Sequence, residues 1–151
     1  MIQYKNGNLL DATHGIIMHG CNMQGVMGSG VAAQIKKKYP GAFSTYKNSL
    51  YRMNLGDVSI YEHSNDLWIA NALTQIFYGN SPNTLYVSYD ALEDALNNIM
   101  TITRAKCMDV HIPDMIGCGL ANGDRNRVIK IIENAVHRNN FLNMLTIWKF
   151  S

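Results

Sequence analysis

The chain has 151 residues, 47% of them hydrophobic and 16% charged, with a formal net charge of +2. That is enough apolar material for one domain with a real core, and too apolar a balance for a disordered chain. The mild basicity does not by itself indicate a nucleic-acid binder, and no apolar run approaches a membrane span.

The N-terminal stretch lacks a secretory pattern, and Ile2 to Lys5 reads as a short strand ended by Asn6-Gly7. Gly15 to Cys21 is an apolar run bounded by turn residues, as in a strand buried on both faces. A loop with Gly25, Gly28 and Gly30 follows, and Ser29 is placed to cap a helix through Lys38. Val31, Ala32 and Ile35 form its inner face, with Lys36, Lys37 and Lys38 in solvent near its C-terminus. Pro40-Gly41 ends that helix, and a second covers Ala42 to Leu50. Val58 to Tyr61 and Leu67 to Leu73 read as strands. The loop Thr74 to Thr84 follows, and Ser88 begins a helix through Lys106, with Leu92, Ala95, Leu96, Ile99 and Met100 at helical spacing. Val110 to Ile112 is a strand that runs into a second glycine loop, Gly117 to Asp124. Val128, Ile131, Ile132, Ala135 and Val136 mark the stripe of the last helix, and Asn143 to Phe150 a closing strand. The three cysteines, Cys21, Cys107 and Cys118, form neither a disulfide framework nor a zinc spacing, so a reducing cytoplasm is expected.

Strands alternating with helices predict an α/β fold, and residues 1–151 read as a single domain without linker. Both glycine loops leave a strand and enter a helix, the place where α/β folds bind ligands. Such loops bring free backbone N–H groups close to phosphates. Neither has the Walker GxxxxGKS/T or the GxGxxG spacing. One such loop is most simply a tight turn; two in equivalent positions suit a ligand with two linked phosphates.

At these residues the chain resembles the macrodomain family. His19 to Ala32, with Gly20-Cys21-Asn22 and Gly28-Ser29-Gly30, looks like the family's first ligand loop, and Ile116 to Asp124 like its phosphate-gripping second loop. Gly7-Asn8-Leu9-Leu10 resembles the element beside the adenine, while Asn71 to Gln75 and Tyr89 to Leu92 match segments of small stand-alone members. The resemblance implies a three-layer α/β/α sandwich around a mixed sheet. It implies ADP-ribose or ADP-ribose-1″-phosphate as ligand, with neither metal nor other cofactor. It is to the small ADP-ribose-1″-phosphate phosphatase-like members of bacteria, bacteriophages and yeast, and so implies a cytoplasmic protein, or one in the host cytoplasm if phage-encoded. A monomer without membrane association is expected.

The same resemblance assigns roles. Asn8 and Leu9 would meet the adenine, with Asn8 where many members carry aspartate; a turn asparagine is the plain alternative. Gly28, Ser29, Gly30 and Val31 would line one side of the diphosphate and distal ribose. Ile116, Gly117, Cys118, Gly119 and Leu120 would line the other, with Thr74 beside them and Cys118 packed rather than reactive. Asn22 would contact the distal ribose, or else form an Asx turn. His19, near that ribose, is a candidate general acid or base, or a satisfied core histidine. Asp124 would activate water, or cap a helix. The branch that removes ADP-ribose from targets has a lysine where this chain has Gln75 and an aspartate where it has Ala121. Both departures argue against a covalent lysyl-sugar intermediate. Phe77 and Tyr78 would form an aromatic lid or pack in the core. Three functions stay open: hydrolysis of ADP-ribose-1″-phosphate or of ADP-ribose on a protein or nucleic acid, non-catalytic reading of ADP-ribose, and RNA binding.

Overall fold

The structure, a computed structural model, describes residues 1–150. Six strands form one sheet in the order β1-β6-β5-β2-β4-β3: β1 (Ile2–Asn6), β2 (Gly15–Cys21), β3 (Val58–Glu62), β4 (Leu67–Leu73), β5 (Val110–Pro113) and β6 (Leu145–Lys149). All neighbours pair in parallel except β3, which runs antiparallel to β4 at one edge. Helices α1 (Gly30–Lys38) and α2 (Pro40–Ser49) cover one face; α3 (Tyr89–Lys106) and α4 (Arg125–Arg138) cover the other. The expected three-layer α/β/α sandwich with a mixed sheet is therefore observed.

Alternation along the strands sorts side chains between the layers. Ile16 and Met18 of β2, Ala70 and Ala72 of β4, and Ile112 and Ile147 pack under α3 and α4 with Leu96, Ile99 and Ile132. Ile17 and Ile69 point the other way, onto Ile35, Tyr39 and Ala42. Both faces of β2 and β4 are buried, which is why their sequences read as unbroken apolar runs.

The helix ends follow local chemistry. Ser88 Oγ accepts from the Ala91 amide and starts α3, and Cys107 ends it in the left-handed region. Pro40 begins α2 instead of only ending α1. Its fixed φ suits a first helical position, so the second helix starts two residues before the predicted Ala42. The closing strand is shorter than predicted, because pairing with β1 and β5 spans only Leu145 to Lys149.

The parallel register has one decisive consequence. The carboxyl ends of β2, β4 and β5 lie side by side, so the loops leaving them share one edge of the sheet.

Candidate functional site

At that edge lies an open cleft of about 700 Å3, within the range of small-molecule sites. One wall is the loop after β2 and the first turn of α1, the opposite wall is the loop after β5, and the segment after β4 closes one end. Gly28, Ser29, Gly30, Val31, Thr74, Ile116, Gly117, Gly119 and Leu120 all line it, together with His19 and Asn22. No Asp, Glu, Lys or Arg side chain does so; its polar groups are backbone amides, hydroxyls, carboxamides, the His19 imidazole and the Cys21 thiol.

The first wall is an open helix terminus. Ser29 stands at the N-cap of α1, but its side chain makes no capping bond, contrary to the expectation for that residue. The first-turn amides of α1 thus face the cleft without internal partners, carrying the positive end of the helix dipole. Across the cleft, a tight turn bonds the Cys118 and Gly119 amides to the Met115 carbonyl and the Gly123 amide to the Gly117 carbonyl. Gly117 has φ +70°, and a Cβ there would sit 2.9 Å from Val87, so a bulkier residue would open this turn. Those bonds hold the turn and leave the Gly117, Leu120 and Ala121 amides without a backbone acceptor, so this wall too has N–H groups to offer an extended anion, with no competing carboxylate in the lining.

Asn22 shapes the first wall from within. Its Oδ1 accepts from the Gln24 amide at 3.0 Å and from Tyr46 Oη at 2.9 Å, and its Nδ2 donates to the Val26 carbonyl at 2.8 Å. The Asx turn is therefore present, and one amide hydrogen is left for the cleft. Tyr46, fully buried, also accepts from the Gly25 amide at 3.0 Å; burial pushes its phenol up to about 12.

His19 is almost completely buried beneath the cleft floor. The parallel register sets it beside Asn71, and His19 Nε2 lies 2.6 Å from Asn71 Oδ1. Asn71 Nδ2 donates to the Ala42 carbonyl, which makes Oδ1 the acceptor and His19 Nε2 the proton-bearing nitrogen. Burial pulls its pKa down to about 4, so the ring is neutral at physiological pH with its proton engaged. This is the geometry of a satisfied core histidine. Burial also raises the pKa of the neighbouring Cys21 thiol well above its ordinary value.

Four predicted residues lie outside the cleft lining. Asn8 caps the 3-10 turn Leu9–Asp11, its Oδ1 accepting from the Leu10 amide at 2.9 Å, and Leu9 is buried against the α1 layer. Cys118 turns away from the cleft and packs toward the α3–α4 core. Asp124 is exposed and caps α4, accepting from the Asn126 amide at 2.9 Å. Tyr89, which the sequence left without a role, receives the Asp124 amide on its hydroxyl at 2.9 Å and carries Arg127 over its ring.

Sequence reasoning missed Pro113, Met115 and Asn80 in the lining. Pro113 and Met115 precede the second glycine loop and Asn80 lies within the loop Thr74 to Thr84, and only the fold shows that these positions turn inward. Tyr78, read as a lid or core residue, is exposed at the cleft mouth, with its amide donating to Gln24 Oε1 at 2.9 Å.

Comparison with known proteins gives a consistent picture. Residues 18–132 match the family model described as Macro domain. The ADP-ribose 1″-phosphate phosphatase of Saccharomyces cerevisiae is 32% identical over 124 residues, 77% of this chain and 70% of that protein. The DNA ADP-ribosyl glycohydrolase of Mycobacterium tuberculosis is 40% identical over 60 residues, which are 40% of this chain but only 16% of that much longer protein. Among solved structures, the macrodomain of Thermus aquaticus DarG superposes with a TM-score of 0.80 at 21% identity, covering 97% of each chain.

Proposed function

The chain belongs to the Macro domain family, and from that premise we propose that it binds ADP-ribose and hydrolyses an ADP-ribose derivative at the distal ribose. The observation that carries this reading is the facing pair of walls: the uncapped first turn of α1 opposite the Gly117–Leu120 turn, with no acidic side chain between them. A diphosphate fits such walls because amides hold anions without counter-charges. The likeness to a phosphatase covering most of both chains favours ADP-ribose-1″-phosphate as substrate, and the likeness to a glycohydrolase supports removal of ADP-ribose from a target.

In this reading the amides bind the diphosphate and offset charge that develops on the reacting group. Asn22 holds its loop around the distal ribose. His19 supports the floor as a neutral ring and does not exchange protons with bulk water. Gln75 lines the cleft, and its Nε2 donates to the Phe77 carbonyl at 2.7 Å, so it shapes the end wall.

Titration calorimetry with ADP-ribose, and with AMP and ribose-5-phosphate as controls, tests the binding step. One-to-one binding to ADP-ribose alone is expected, and absence of binding overturns the reading. Release of inorganic phosphate from the 1″-phosphate tests the hydrolytic step. A second reading, a non-catalytic reader, is favoured by the lack of ionised side chains in the lining; binding without turnover of any derivative would establish it.

A further inference from the structure

The loop that forms the first cleft wall is moored to α2 through one side chain. Tyr46, near the end of α2, is fully buried and does not line the cleft. Its hydroxyl meets three groups of the turn from Asn22 to Val26. It lies 2.7 Å from the Asn22 carbonyl and 2.9 Å from Asn22 Oδ1, and it accepts from the Gly25 amide at 3.0 Å. The Asn22 carbonyl and the Gly25 amide make no other hydrogen bond among the described residues. A backbone group left unpartnered beneath the surface is costly, so this hydroxyl holds the turn in shape.

Packing alone does not require the hydroxyl. The ring sits among Cys21, Met27 and Leu73, with Phe43, Leu50 and Met53 against the same cluster, and a phenylalanine ring would fill that space. The oxygen therefore has a task of its own, and the turn shows what it is. Asn22 Oδ1 also accepts from the Gln24 amide, and Nδ2 gives one hydrogen to the Val26 carbonyl. A free carboxamide turns easily about its last torsion. Here Oδ1 is held from two sides and Nδ2 from a third, so the second Nδ2 hydrogen keeps one direction. The same loop reaches the end wall, where Gln24 Oε1 accepts from the Tyr78 amide and the Met23 amide donates to the Ile76 carbonyl.

We propose that Tyr46 is a positioning residue for the sugar end of the ligand. Its hydroxyl orients Asn22 so that the remaining amide hydrogen meets a hydroxyl of the distal ribose, while the backbone amides of the two walls take the diphosphate. A carboxamide N–H suits a sugar hydroxyl because that oxygen accepts without carrying charge. The inference rests on the ADP-ribose reading above.

The test compares ADP-ribose with ADP, which has the same adenosine and diphosphate but no second ribose. Affinities are measured by competition on the full chain. Tyr46→Phe keeps the ring in its packing, and Tyr46→Met fills the site with neither ring nor hydroxyl should the first fold poorly. Either variant should bind ADP-ribose about tenfold more weakly than wild type, with affinity for ADP changed by less than about twofold. Asn22→Ala should show the same selective loss. Adding Tyr46→Phe to it should cost nothing further, because both changes remove one contact. An equal loss for both ligands would mean that the whole wall has loosened, and it overturns the positioning role. So do losses that add in the double variant, and a folded variant whose melting temperature falls while its affinity for ADP-ribose stays. Wild-type protein that binds ADP-ribose no better than ADP overturns it as well. Failure of the wild-type protein to bind either ligand is a different result and overturns the cleft reading first.

Discussion

Two titratable residues, His19 and Asp124, illustrate how side-chain chemistry depends on placement. Asp124 accepts two amides at the start of α4 and stays in solvent, so its work is capping. Asp124→Ala should cost about 1 kcal/mol of stability, in line with N-cap losses, and leave ADP-ribose affinity unchanged; denaturant unfolding beside calorimetry checks both, and lost affinity would return the carboxylate to the site. His19 is held by Asn71 in a packed layer. His19→Ala would leave a cavity and an unpartnered Asn71 oxygen, a loss of roughly 2–4 kcal/mol by comparison with other core truncations. The stability loss should exceed any change in affinity for ADP-ribose measured on the folded fraction, and a fully stable variant would show that the ring is not part of the core.

At the scale of elements, the glycine turn after β5 works through backbone shape, and its glycines are not equivalent. Gly117 is held at positive φ against Val87, whereas a Cβ at Gly119 meets nothing within 4 Å. Gly119→Glu should therefore fold normally yet set a carboxylate in the anion-binding wall. Affinity for ADP-ribose should fall by at least about tenfold, since the carboxylate would repel the diphosphate at close range. Calorimetry on the folded variant measures this, and retained affinity would move the diphosphate elsewhere. The α1 terminus shows the limit of residue-level reading at the same scale: Ser29 occupies a cap position without capping, and the open amides are what the cleft uses.

At the scale of the whole molecule, two buried histidines couple stability to pH. His19 is held near 4 by burial, and His111 is also lowered, by burial first, with its Nδ1 accepting from Trp148 Nε1 at 3.0 Å and its Nε2 bonded to the His14 carbonyl. Both are neutral when folded and take up protons in the unfolded chain below about pH 6.5. Their contribution is present above that pH and is lost as pH falls, for His19 down to about 4, on the order of 3 kcal/mol for a shift of this size. Denaturant unfolding at pH 7.5, 6 and 5 should show stability falling in that direction; a flat profile would mean that the rings are accessible. Most of this architecture was legible beforehand. The runs in β2 and β4, the stripe of α3 and the paired glycine loops are written in local periodicity and turn chemistry, which act over a few residues. A buried His19 was one of two readings the strand allowed, but its partner Asn71 was not legible, because that depends on the β2–β4 register; Cys118 was read as packed, yet its absence from the lining was not legible either. The sequence by itself determined the elements, their layering and the two loops, since these follow from side-chain spacing and backbone freedom. Only the tertiary structure decided which residues face the cleft, because that depends on how parallel strands bring distant loop ends together and on which partner each polar side chain meets there.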